Sequence, residues 1–540
     1  MQYRLVYQFF SQKFSLGHPK VHISLEHLLR IGIASHHIPK TLESMMKLEA
    51  SDRELLYQNI DGAEHVKEEI GRYLRQTSHL FAVAAFDAFP TEKEILQVSL
   101  LHQMNRKGIV QEVLHDQFQQ LRNSSDPILK SNFQELQRLK MLESKIVQNE
   151  QSEYTDVNLT EIRDRIVELD RTIQSSFSLE DGIQSIDEVL EALPDNSIMI
   201  EFVLYTSYDT EKDSFGAQRV GAYTISKREG INGQSLTDFE NIEKQLKVFR
   251  QTRSATFGKR LYADLIAPIL PNPNEYDHLF IAADGALNLI PFELLQDGDG
   301  EMLLDKTNVS YLSTGRDLIR LQNDQSTDLS EPFVLANPTY ASKDNQVSLP
   351  ATQKEADFLK RLYPKSTVIT KEQATVDALR TVDSPKYLHI ATHGFFDDDN
   401  PDTVLDNNPM TRSGLILAGS DDGEGVTRML ASEAVTLDLD GTELVVLSAC
   451  ESGLGKAENG EGVYGLRRAF ALAGAQSQVV SLWSVDDDAT AYFMESFYTK
   501  LKDGKGKAEA MKETKLEMRS IEQWENPKYW AAFVLTGDWR

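Results

Sequence analysis

The chain has 540 residues, 41% of them apolar, and a formal charge of −27 from 56 basic and 83 acidic side chains. That is enough apolar content for more than one core, and so much acidity repels phosphate backbones, excluding nucleic acid as a direct partner and favouring basic peptides or basic protein surfaces. A single cysteine rules out an internal disulfide framework and any cysteine-based zinc site; with no run near 18 apolar residues and no signal peptide evident at Met1-Gln2-Tyr3-Arg4-Leu5-Val6, a cytoplasmic chain without membrane contact is expected.

Residues 1–180 read as helical and polar-rich, a region suited to sensing or docking. Thr91-Glu92-Lys93-Glu94 after Pro90 predicts a capping box opening a helix. Leu159, Ile162, Ile166, Leu169 and Ile173 recur at steps of three and four, one face of an amphipathic helix, and Phe133, Leu136, Leu139 and Ile146 predict another before it. No 34-residue repeat is convincing, so a degenerate tetratricopeptide pair and a plain helical bundle both fit.

After Leu193-Pro194-Asp195-Asn196 the pattern changes. Ile198 to Tyr205 reads as a strand, and strand-like runs at 279–283, 332–336, 386–392, 414–418, 443–449, 477–485 and 530–535 follow. Helical patterns fall between them, at 352–363, 374–380, 462–474, 488–502 and 507–519. Strands rich in Val, Ile and Leu alternating with helices predict an α/β fold with a mainly parallel sheet flanked by helices. A weak internal echo divides this part into a first half, 183–330, and a second, 331–540. Phe280-Ile281-Ala282-Ala283-Asp284-Gly285 parallels His389-Ile390-Ala391-Thr392-His393-Gly394, and Tyr311-Leu312-Ser313-Thr314-Gly315 parallels Val446 to Cys450. The first half then carries Asp284 and Gly315 where the second carries His393 and Cys450.

Those last two residues hold the chemistry. The only thiol stands at the end of the apolar run Leu444 to Ala449, and His393 ends the run Tyr387 to Thr392, 57 residues upstream. Ligands sit in loops at the carboxyl ends of such strands, and a lone cysteine with a histidine about 50 residues before it is the chain order of caspase-type cysteine proteases. A free thiol near pKa ~8.5 is mostly protonated at neutral pH. An imidazole at His393 can take that proton and later return one to the leaving amine. The amides of Gly394 and Cys450 are candidate oxyanion donors, each worth ~3 kcal/mol. The competing reading of Cys450 is a small buried hydrophobe, the usual state of a free cysteine.

No metal or cofactor is expected. His389 and His393 lie four apart on a strand-like run, which separates them by about 13 Å, so a buried, hydrogen-bonded His389 is the better reading. Asp297-Gly298-Asp299-Gly300-Glu301 begins like a calcium loop, but Met302 and Asn308 stand where glycine and glutamate are required. Gly504-Lys505-Gly506-Lys507 lacks the spacing of a phosphate-binding loop.

From about Ile183 onward the chain resembles the CHAT family, caspase-like peptidases related in fold to separases and often preceded by tetratricopeptide helices. The resemblance rests on Ala283-Asp284-Gly285 through Leu295, Leu349-Pro350-Ala351-Thr352 with Glu355, His389 to Gly394, Leu447 to Gly453, Ser481-Leu482-Trp483-Ser484-Val485-Asp486-Asp487, and Trp530 to Gly537. It implies a caspase-like fold, His393 as base, Cys450 as nucleophile and Gly394 as an oxyanion contributor. It also sets the strand ending Trp483-Ser484-Val485-Asp486 beside the pocket for the residue preceding the scissile bond. Because that end carries Asp486, Asp487 and Asp488, arginine or lysine should be preferred there, unless the aspartates only cap the following helix.

The expectation is therefore a regulated cysteine endopeptidase acting on a protein substrate, with an activating protein bound by the N-terminal helices. The resemblance adds a setting in bacterial (antiviral) defence or programmed cell death. A catalytically silent helical scaffold and a small-molecule amidase or acyltransferase are the alternatives. The acidic segments 397–402 and 421–425 would flank the cleft, and Arg412 and Arg428 are candidate self-cleavage positions.

Overall fold

From Ser197 onward the apolar runs assemble into a mixed sheet whose direction reverses at its middle. The computed structural model describes residues 2–59, 74–108, 120–121, 124–148, 158–174, 185–323, 330–340, 347–396, 410–419, 428–448, 456–458 and 462–540. The first half supplies β1 (Ser197–Asp209), β2 (Ser214–Ser226), β3 (Gly230–Asp238), β4 (His278–Ala282) and β5 (Asn308–Tyr311). The second supplies β6 (Phe333–Pro338), β7 (Thr367–Lys371), β8 (Tyr387–Ala391), β12 (Leu444–Leu447), β15 (Ser477–Ser481) and β16 (Phe533–Gly537) to the same sheet. Between these lie β9 (His393–Phe396), β10 (Ser413–Ile416) and β11 (Arg428–Leu430), which form a separate three-stranded sheet, and the hairpin β13 (Lys456–Glu458)–β14 (Gly462–Tyr464).

The strand order is β3-β2-β1-β4-β5-β16-β15-β12-β8-β6-β7. Strands β1, β4, β5 and β16 are mutually parallel, and so are β15, β12, β8, β6 and β7. The two blocks meet at the antiparallel pair β15–β16, in register from Ser477–Gly537 to Ser481–Phe533. Carboxyl ends of the first block therefore emerge at one edge of the sheet and those of the second block at the opposite edge. The expected α/β architecture with helices on both faces is observed, with an antiparallel edge, β2–β3, added to it.

Alternation along β1 shows why the helices before it pack as they do. Ile198, Ile200, Phe202 and Leu204 face a core shared with most of the sheet and with the helices Pro127–Gln148 and Leu159–Gln174. Met199, Val203 and Tyr205 face a second core built with the helices Pro19–Ala34, Ile38–Asn59 and Lys93–Arg106. Burying each such side chain contributes roughly 1.5–3 kcal/mol. Glu201 shares the second face and would be an isolated buried charge without Lys107, which follows the third of those helices. Lys107 Nζ donates to Glu201 Oε1 at 2.7 Å, to the Ala282 carbonyl at 2.9 Å and to that of Phe202 at 3.2 Å. An ammonium has three donors, and all are satisfied. The other Glu201 oxygen accepts from Gly315 N at 3.1 Å and Thr314 Oγ1 at 3.3 Å.

Several local expectations move. The helix near Thr91 is capped by Glu92 with no side-chain bond, so the capping box is not formed. The run 386–392 ends at Ala391, and the backbone turns at Thr392 so that His393 starts another sheet. The helix expected at 462–474 begins only at Leu466, because 462–464 pairs with 456–458. Among the described residues no helix is long and apolar enough to cross a membrane.

Candidate active site

Three strands of the second block, β6, β8 and β12, deliver their carboxyl ends to one place. His393 lies just past β8, paired with Ile416 across the β9–β10 ladder, and Gly394 lies opposite Leu415. The ladder closes tightly because Gly414 has no side chain: a Cβ there would stand 2.2 Å from the Met429 carbonyl oxygen. His393 Nε2 lies 2.8 Å from the Val347 carbonyl oxygen. A carbonyl only accepts, so Nε2 carries the hydrogen and the neutral ring keeps its basic lone pair on Nδ1. Tyr340, from the loop after β6, packs its ring 5.1 Å from that of His393. The buried Thr392 hydroxyl donates to the Ile416 carbonyl, so Tyr340 is the donor in the 3.1 Å bond between the two hydroxyls.

Beneath this lies a small pocket lined by Glu355, Thr392, Ser448, Ser481 and Asp487. His389 is buried under it and donates from Nε2 to Glu355 Oε2 at 3.0 Å, while Tyr498 approaches Nδ1 at 3.3 Å. Among the described residues Glu355 Oε1 and Ser448 Oγ are buried without a hydrogen-bond partner. Asp487 is half-buried at the pocket wall. Burial raises its pKa above the usual aspartate value, and the nearby carboxylates of Glu355 and Asp486 raise it further, with His393 acting in the opposite sense. Among the described residues the pocket is thus lined by two carboxylates and short of donors.

The three aspartates after β15 take separate roles. Asp486 is the N-cap of the helix Asp487–Lys502, accepting from Ala489 N at 3.1 Å. Asp488 pairs with Lys354 at 2.6 Å on the surface. Asp487 is the one turned toward His393 and Glu355. Arg253, from the first half, stacks 4.4 Å over the Trp483 ring at the same strand end.

The CHAT domain family matches residues 255–538, 284 of the 540 residues. The chain belongs to the CHAT domain family. Tetratricopeptide repeat protein 28 of Homo sapiens is 26% identical over 330 residues, and its Mus musculus counterpart 24% over 320. These cover 53% and 52% of this chain but 13% of each relative, so the chain spans about an eighth of their length. Among solved structures, the separase–securin complex of Saccharomyces cerevisiae is similar at 11% identity and a TM-score of 0.41, over 99% of this chain and 48% of that one. The Arg-specific cysteine proteinase gingipain R is similar at 11% identity and a TM-score of 0.32, over 53% of this chain and 66% of the other.

Within the CHAT domain, Cys450 and the acidic segments 397–402 and 421–425 lie outside the described residues. Ser448 is the last described position before the cysteine; its amide donates to the Ile390 carbonyl at 2.9 Å, so the β8–β12 ladder runs to that point. The guanidinium groups of Arg412 and Arg428 lie over Phe396 and Phe395 of β9. Sequence reasoning missed Tyr340, Val347, Thr392 and Ser448 as parts of the site. Tyr340 had a usable signal, since it follows the buried run 332–336 and so falls at a strand's carboxyl end.

Proposed function

We propose that this chain is a cysteine endopeptidase that cleaves a protein substrate after arginine or lysine, with Cys450 as nucleophile and His393 as base. The observation that carries this reading is the register of β8 and β12. Leu444 pairs with Tyr387 and Leu447 with Ile390, a constant offset of 57 positions. His393 and Cys450 are also 57 positions apart. The strands that lead to the two residues thus run side by side, with Ser448 N still bonded to the Ile390 carbonyl, toward the edge of the sheet where Tyr340 and the acidic pocket lie, which supports a pairing of His393 with Cys450.

The chemistry follows from the tautomer. With its hydrogen held on Nε2 by Val347, His393 accepts the thiol proton at Nδ1, leaving a thiolate that attacks the scissile carbonyl. The tetrahedral oxyanion is met by backbone N–H groups, for which Gly394 and Cys450 are the candidates. The protonated imidazole then passes its proton to the departing amine, and water, deprotonated by the same nitrogen, hydrolyses the thioester. Asp487 supports the preference for a basic side chain. A guanidinium entering the pocket would meet a half-buried carboxylate and the unpaired Glu355 oxygen, and would satisfy both. Asp486, already bonded to a backbone amide, contributes charge at longer range. The N-terminal helices are the surface proposed for an activating protein partner, since the Lys107–Glu201 pair ties them to the sheet.

The test uses the full chain and a Cys450→Ala variant against a peptide library, together with a thiol-reactive peptide probe ending in arginine. Cys450-dependent cleavage after arginine or lysine is expected. Neither cleavage nor labelling, with candidate protein activators added, would overturn the peptidase reading in favour of a scaffold. Cleavage confined to other residues would overturn the role of Asp487.

A further inference from the structure

The β15–β16 ribbon ends at two places. Ser481 and Phe533 line the pocket beneath His393. The other ends, Ser477 with Gln478 and Thr536 with Gly537, line a cavity of about 70 Å³ at the opposite edge of the sheet. Four residues of β15 separate the two, roughly 13 Å. This second cavity sits beside the carboxyl ends of β4 and β5, in the first half, where Ala283 and Tyr311 to Ser313 form part of its wall.

Its charge is opposite to that of the chain. Lys107, Arg320, Arg467 and Arg468 line it, against one carboxylate, Asp317. Lys107 is taken up by Glu201 and two carbonyls, and Arg320 lies 3.4 Å from Asp317. Arg467 is different: among the described residues no carboxylate pairs with it, in a chain with 83 acidic side chains. Burial lowers its pKa to about 10, with Tyr311 acting in the opposite sense. Gln478 donates from Nε2 to the Arg467 carbonyl at 2.8 Å, and its own Oε1 is buried without a donor among the described residues. A guanidinium with no carboxylate partner and an amide oxygen with no donor, both among the described residues, thus line the same space. A water needs about 10–15 Å³ of such space, so the cavity holds several waters or one oxyanion with a bridging water, and is too small for a nucleoside.

We propose that this cavity binds a small oxyanion, a phosphoryl or carboxylate group, with the Arg467 guanidinium as its fork. A planar guanidinium matches two oxygens of either group, and the positive wall attracts an anion that the rest of the surface repels. The site is separate from the cysteine chemistry and does not depend on it.

The experiment is titration of the full-length chain by calorimetry and by thermal shift, with inorganic phosphate in one arm and succinate in the other, at ionic strength held constant with chloride. Saturable binding of at least one anion is expected. Binding of phosphate alone assigns a phosphoryl ligand, and succinate alone assigns a carboxylate such as an acidic peptide would bring. Arg467→Gln should weaken that binding at least tenfold, Arg467→Lys should keep part of it, and Cys450→Ala should bind like the parent. If Arg467→Gln does not fold, Arg467→Lys alone decides. No saturable binding of either anion by the parent chain, or undiminished binding by the folded arginine variants, would overturn the assignment.

Discussion

The two ends of the β15–β16 ribbon are built from the same backbone pair and carry opposite charge. At one, Glu355 and Asp487 line the pocket next to Thr392, and Glu355 Oε1 and Ser448 Oγ find no partner among the described residues. At the other, Arg467 stands in a basic cavity, with no carboxylate partner among the described residues. Next to that cavity the first half has closed its own strand ends: Asp284 accepts from Leu204 N at 2.8 Å, and Glu201 takes up Lys107, Thr314 and Gly315. In the first half these two buried carboxylates have been given partners. Where polar atoms are left unmet, a ligand can supply the partner. The contrast is with the two proposed sites, where a ligand would complete the set.

The acidic end is most sensitive at the proposed dyad. His393→Ala should lower kcat/KM by about 10²–10⁴-fold, the usual contribution of a positioned base, while urea unfolding stays close to the parent because His393 is only partly buried. Peptide cleavage and equilibrium unfolding, measured on the same preparation, check both halves of that statement.

On the structural side the largest effect belongs to Lys107. Lys107→Met leaves Glu201 buried and unpaired, and breaking such a pair from one side costs about 3–5 kcal/mol. Burial already raises the Glu201 pKa, and Lys107 opposes that rise. Adding Glu201→Gln to Lys107→Met should recover most of the loss, since a neutral amide needs no counter-charge. Denaturant midpoints of the two variants decide it. Gly537→Ala tests the ribbon itself: Gly537 has φ +88, and a Cβ there would stand 2.2 Å from the Gln476 carbonyl oxygen. A loss of about 1–3 kcal/mol is expected from that strain.

How far these contrasts were legible beforehand depended on how each strand is buried. Strands β4, β6, β8, β12 and β15 are covered on both faces, so their apolar runs stood out, and the expected ranges lie within a few residues of those observed. The hairpin β2–β3 did not stand out, because Ser214 to Gln218 are largely exposed and β3 is mostly half-exposed, with Gly and polar residues. The edge strand β7 escaped for the same reason. Histidine 393 could be found from its strand-end pattern, and the Asp486–Asp488 cluster from its charge. What could not be read was which aspartate faces the site, because that depends on where the helix starts. The Lys107–Glu201 pair joins positions 94 apart in sequence, and nothing local marks either residue for the other.

Asp487→Asn sharpens the acidic end. Hydrogen bonds to charged groups contribute about 1.5–3 kcal/mol, so preference for arginine over a neutral residue should fall roughly 10–100-fold, with cleavage itself retained. The pH dependence carries the same signature. Burial, then Glu355 and Asp486, hold the Asp487 pKa above that of an ordinary aspartate, so it takes up its proton earlier as pH falls. Preference for a basic residue should therefore decline at a higher pH than an exposed aspartate near ~3.9 would allow, and Asp487→Asn should remove that acid limb.

The smallest effect separates neighbours. Asp486→Ala removes the N-cap of the helix Asp487–Lys502, which costs about 1 kcal/mol, and leaves the Asp487 carboxylate in place. Stability should fall while the preference for arginine changes by less than in Asp487→Asn. Asp486→Asn makes the comparison stricter, since asparagine caps a helix about as well as aspartate but carries no charge: stability should return and selectivity should stay near the parent. If Asp486→Asn instead lost as much arginine preference as Asp487→Asn, the basic residue would be held by the cap position, and the division of labour between the two carboxylates would have to be reversed.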